Sequence, residues 1–114
     1  MRRELFRIEL LLRKHQFDAQ ADVVAGLLRR YDAPDQAEFR AVLQDVGMWG
    51  GSGSVIDCAI SSNAREVTSQ VRQDERAFWS AIVQLADEMD RVGLATARSR
   101  DVAATFRSWL AKAV

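Results

Sequence analysis

The chain has 114 residues but only one cysteine, one proline and one histidine, and its basic and acidic residues cancel at 16 each. A lone Cys58 rules out an intramolecular disulfide. With His15 as the single imidazole, the donors of a zinc site are too few. No apolar run approaches the roughly 20 residues of a membrane span. The opening Met1-Arg2-Arg3-Glu4-Leu5 leads into an apolar stretch broken by acidic residues, with no small-residue cleavage site behind it. The zero net charge argues against a nucleic-acid partner, which would call for a domain-wide basic excess. Together these absences lead us to expect a cytoplasmic chain with no cofactor, no metal, no membrane and no nucleic acid. Its length allows one domain over 1–114, sufficient for a single core.

What is present is helix-forming. Ala, Arg, Glu, Leu and Val dominate, and Gly and Pro are scarce outside one loop. The strongest pattern lies between Asn63 and Val92. Val67, Val71, Phe78, Ile82, Leu85, Met89 and Val92 recur at spacings of three, four or seven, as on one apolar face of a helix. Asn63 and Glu66 have capping-box spacing at its start, and Gly93 supplies its stop. Such a helix would be about 45 Å long and cross the whole molecule. Around it the spacing predicts a first helix over Arg3 to Lys14, a second from a cap at Asp18 to Tyr31, and a third from the Asp35/Glu38 box to Val46. The last helix is expected to start after a cap at Ser99 and run towards Ala113, with Phe106 and Trp109 inward. The fold class expected is all-α, a compact helical bundle of four long helices and one short one around helix 63–92.

The unusual passage is Gly47-Met48-Trp49-Gly50-Gly51-Ser52-Gly53-Ser54, followed by Val55-Ile56-Asp57-Cys58-Ala59-Ile60. It lacks the lysine and the preceding strand of a phosphate-binding loop. Its glycines serve a tight reversal, and Ser54 with Asp57 has the spacing to cap a short helix, while Val55, Ile56 and Ile60 would also suit a strand. Catalysis finds little support. No serine or cysteine nucleophile can be tied to His15, and the carboxylates of the long helix alternate with arginines as on a solvated face.

The run Trp49-Gly50-Gly51-Ser52-Gly53-Ser54-Val55-Ile56-Asp57 resembles the GG-x-GS-x-x-D segment, often GGMGSFND, of a family of small uncharacterised bacterial helical proteins. Some members occur beside polymorphic toxins or secretion-system effectors and are regarded as immunity-like. Gly50, Gly51, Gly53, Ser54 and Asp57 match by position. Ser52 stands where methionine is common, and Val55-Ile56 replaces an aromatic and an asparagine. The resemblance implies a non-enzymatic protein that neutralises a cognate toxin or effector by direct binding. Its partner surface is then expected at Met48, Trp49, Asp32, Asp35 and Glu38, with Asp45 beside them. A solvent-facing Trp49 would act as the hot spot, and the acidic residues would meet a basic partner. The alternatives are a homo-oligomeric adaptor or structural module, a homodimer through the wide apolar face of the first helix, and a small hydrolase using His15, Asp57 or Cys58.

Overall fold

A single helix of 23 residues, Ser69–Arg91, forms the spine of the computed structural model, which describes residues 1–112. The elements run α1 (Arg2–Lys14), α2 (Asp18–Arg30), α3 (Ala37–Leu43), α4 (Val46–Trp49), a 3₁₀ turn (Val55–Asp57), α5 (Ile60–Asn63), α6 (Ser69–Arg91) and α7 (Ala97–Lys112). No strand occurs among the described residues, so the all-α bundle expected from periodicity is the fold. The expected extension of the last helix to Ala113 lies outside the described residues.

Phe78, Ala81, Ile82, Leu85 and Met89 of α6 are wholly buried. Each large side chain among them contributes about 1.5–3 kcal/mol by leaving water. α1 packs on α6 through Leu5, Ile8 and Leu12, while α2 packs on α1 through Ala21, Val24 and Leu27. α7 lies along another side of α6. At about 35 Å, the rod spans most of the molecule's 43 Å long axis.

The spine starts at Ser69, six residues after the Asn63 start that capping-box spacing implies. Asn63 is not its cap. That residue ends α5, and its Nδ2 donates to the His15 carbonyl at 3.2 Å, closing the end of α1. Thr68 takes the capping role, its Oγ1 accepting from the Val71 amide at 3.1 Å. The other end is as expected. Gly93 adopts φ +79, its amide donates to the Asp90 carbonyl, and the Leu94 amide reaches back to Met89 at 2.8 Å. This is the paired closure that a left-handed residue makes possible. The α1–α2 corner uses the same pair of bonds, from Gln16 to Arg13 and from Phe17 to Leu12, with Gln16 at φ +66.

Three further boundaries differ from expectation. Asp18 sits in the first turn of α2 rather than at the cap, which is Phe17. α7 opens on a reciprocal pair: the Ser99 amide donates to Thr96 Oγ1 at 3.0 Å, and the Thr96 amide donates to Ser99 Oγ at 2.9 Å. Ser99 is therefore the inner member of a capping box rather than the cap. The third helix stops at Leu43, and after Gln44 the chain turns extended at Asp45 to start α4.

That early stop inserts Met48 and Trp49 into the core, at 0% and 1% exposure. Trp49 Nε1 donates to the Leu43 carbonyl at 2.7 Å, so the indole is satisfied as well as buried. Gly50 must follow closely, because a Cβ there would lie 2.7 Å from the Val46 carbonyl oxygen. Trp49→Ala is expected to cost about 3–5 kcal/mol, read as a large fall in the thermal unfolding midpoint by circular dichroism. An unchanged midpoint would contradict this placement of the indole.

Candidate binding cleft

Trp79 lies one residue past the buried Phe78, so it faces about 100° away from the core line of α6. Glu75 precedes it by one helical turn, on the same flank. From α7, Phe106 and Trp109 project towards the same place at a spacing of three. The Trp79 and Trp109 rings are 5.2 Å apart at 57°, and Phe106 stacks on Trp109 at 4.9 Å and 24°. Pairs of this geometry add about 0.5–1.5 kcal/mol beyond their buried area. The segment Ile56 to Ala59, leaving the 3₁₀ turn, forms the opposing wall. Between them is an open cleft of about 480 Å³. It continues past Ile56 and Asp57 into a second depression of about 370 Å³, bordered by Arg98, Asp101 and Thr105.

The walls are held by polar contacts. Glu75 accepts from the Ser61 amide at 2.9 Å and from Ser61 Oγ at 2.7 Å, which ties α5 to α6. Asp57 Oδ2 accepts from the Gly53 amide at 3.2 Å, and Gln20 of α2 donates to the Gly53 carbonyl at 3.1 Å. Gly53 itself has φ +85, a conformation suited to glycine. The expected capping by Ser54 does not occur. Its hydroxyl is buried without a partner among the described residues, and the 3₁₀ turn has no side-chain cap.

The residues expected to bind a partner are placed otherwise. Met48 and Trp49 have no surface to offer, because core packing claims both; the hot-spot assignment is corrected on that ground. The acidic group is on the surface but is largely answered from within the chain. Arg2 reaches Asp32 at 2.8 Å and Arg30 reaches Glu38 at 3.0 Å. Asp35 accepts from the Ala37 amide at 2.9 Å, and Asp45 is exposed at the start of α4. Trp109, expected inward, is 43% exposed. Periodicity puts Trp109 on the inward side of its helix and Trp79 one position off the core line of α6, and only the packing of α7 on α6 brings the two together. The available signal was an aromatic residue just off the core line of α6.

The residues offered for hydrolysis do not converge. His15 borders a separate depression of about 190 Å³, shared with Lys14, Asn63 and Arg65, whereas Asp57 and Cys58 line the aromatic cleft. His15 Nε2 is 2.8 Å from Asp74 Oδ2, and Lys14 Nζ is 2.8 Å from the same oxygen. Cys58 is buried, and burial, aided by the Asp57 charge, pushes its thiol up to about 12. At neutral pH it is a protonated packing residue rather than a nucleophile. No group of three or more His, Cys, Asp or Glu is placed to hold a metal ion among the described residues. None of the described helices is long and apolar enough to cross a membrane.

Comparisons with protein-family models, with curated proteins and with solved structures find no match.

Asp74 is the most constrained carboxylate. Burial would raise its pKa, but hydrogen bonds from Lys14, His15 and Gln70 outweigh it and hold the value below the ordinary 3.8. A lowered folded value means that this stabilisation is full above 3.8 and drains away as pH falls through the folded value. Asp74→Asn should therefore cost about 2 kcal/mol at neutral pH, and the gap to the parent should shrink in acid. Urea unfolding across that range reads it; a gap that widens in acid would contradict the assignment.

Proposed function

We propose that this chain is a non-catalytic protein of the immunity type, which neutralises a cognate toxin or effector by binding it, and that the aromatic cleft is the binding surface. The observation that carries this reading is Trp109, 43% exposed yet stacked on Phe106 at the mouth of an open cleft. Exposed aromatic rings held rigid by their neighbours are what protein interfaces use as anchors, since little conformational freedom is lost on docking. The separation of His15 from Cys58 and Asp57 favours binding over hydrolysis. The immunity character itself rests on the resemblance of the Trp49–Asp57 loop, whose residues here act as scaffold and set the wall of the cleft through Asp57.

A homo-oligomeric module is the second reading, favoured by Phe6 and Leu10 on α1, 54% and 55% exposed at a spacing of four. Arg3 and Arg7 lie on the same outer face of that helix. A two-fold pairing through this face would crowd arginines from both copies, which makes it the weaker of the two.

Co-purification with the product of a neighbouring toxin or effector gene, followed by rescue of its toxicity, tests the leading reading. Trp109→Ala should weaken that complex about 30-fold by calorimetry, while the protein stays folded with a thermal midpoint lowered by roughly 5–10 °C for the two aromatic pairs it loses. Asp35→Lys, on the self-compensated acidic face, should leave the affinity unchanged and cost about 0.5–1.5 kcal/mol of stability for the lost Ala37 contact. Absence of binding and of rescue overturns the immunity reading, and a Trp109→Ala protein that binds at full strength moves the surface elsewhere.

A further inference from the structure

Resting on the cleft as the partner surface, we infer that its specific occupant is an arginine side chain presented by the partner protein. Two independent features of the walls converge on that chemistry. The first is electrostatic. Asp57, Glu75 and Asp101 border the cleft and its continuation, and Arg98 is the one cation among the residues lining them. The chain as a whole is neutral, so this excess of carboxylates is local. Asp57 Oδ1 accepts from no group among the described residues, and the oxygens of Glu75 each keep a lone pair after binding Ser61. Asp32 and Glu38 are each neutralised by an arginine of the chain, whereas Asp57 and Glu75 bond only uncharged groups among the described residues.

The second feature is the aromatic wall. Trp109 is exposed and Trp79 half-buried, with buried Phe106 stacked behind Trp109; indole faces attract a cation through their quadrupoles more strongly than other rings. Against an indole face and beside a carboxylate, the group that fits is flat, positively charged and rich in donors at its edge. A guanidinium has that shape. It can stack on an indole while its N–H groups point at Asp57, whereas a lysine ammonium is a compact, strongly hydrated point charge that cannot stack. The methylene stem of arginine would lie against Ile56 and the indoles, so apolar burial and charge act on the same residue. The cleft therefore selects a basic protein segment over an acidic or purely apolar one, and steers it by charge before contact.

The test uses the whole protein and three blocked tripeptides, glycine-X-glycine with arginine, norleucine or glutamate at the centre, followed by the indole signals in ¹⁵N-labelled protein. The arginine peptide should shift the signals of Trp79 and Trp109 and leave buried Trp49 as an internal reference. It should bind about fivefold more tightly than the norleucine peptide, with glutamate weakest. Asp57→Asn keeps an acceptor for the Gly53 amide but removes the charge, and should bring arginine binding down to the norleucine level. Equal binding of arginine and norleucine, or no movement of the Trp79 and Trp109 signals with the arginine peptide, would overturn the inference. Equal binding leaves the cleft as a partner surface without charge selection. Co-purification judges the immunity reading separately.

Discussion

The burial of one side of α6 and the partial wetting of another constrain everything else in this molecule. Phe78, Ile82, Leu85 and Met89 must leave water, and α1 with α2 behind it provides the cover. α7 covers a different flank, and ion pairs help hold it in place, Arg100 to Asp90 and Arg107 to Asp87. Those pairs are exposed and individually worth little. Its hold on α6 comes instead from Ala103, Phe106 and the aromatic contacts with Trp79. Because α7 is one helix and not two, it roofs that flank incompletely, and the aromatic cleft is the part left open.

The connection from α3 to α6 serves the same division. Trp49 and Met48 plug the core, Gly50 lets the chain pass close to Val46, and the loop returns through Gly53 to the 3₁₀ turn. Asp57 and Ile56 then stand opposite the indoles. The glycine loop supports one wall of the cleft, through the Gly53 amide bonded to Asp57. One residue before Glu75, on a different face of α6, Asp74 gathers Lys14, His15 and Gln70 and locks the end of α1 to the spine. Lys14 and His15 meet on one oxygen of that carboxylate and Gln70 on the other.

Much of the architecture is legible in the sequence, and the misreadings are instructive. The three- and four-residue spacing from Val71 to Met89 identifies the spine because a buried helical face leaves no other arrangement. Gly93 marks its end for a similarly strict reason, the need for a left-handed residue. The start differs because Asn63 and Glu66 have capping-box spacing while Thr68, three residues before Val71, has none and caps through its hydroxyl alone; only tertiary contact with His15 decides what Asn63 does. Helix boundaries generally carry this ambiguity. The fate of Trp49 could not be read locally, since its burial depends on α3 ending early and offering the Leu43 carbonyl. The cleft was hidden for the same kind of reason. Trp79 and Trp109 are 30 positions apart, and only the packing of α7 on α6 makes them neighbours.

The account divides the three tryptophans by environment, and a soluble paramagnetic agent added to ¹⁵N-labelled protein measures that division directly. The indole signal of Trp109 should fade first, Trp79 should follow more slowly, and Trp49 should persist to the highest concentration. A Trp49 signal that bleaches with the others, or a Trp109 signal as protected as Trp49, would contradict a sealed core beside an open aromatic cleft.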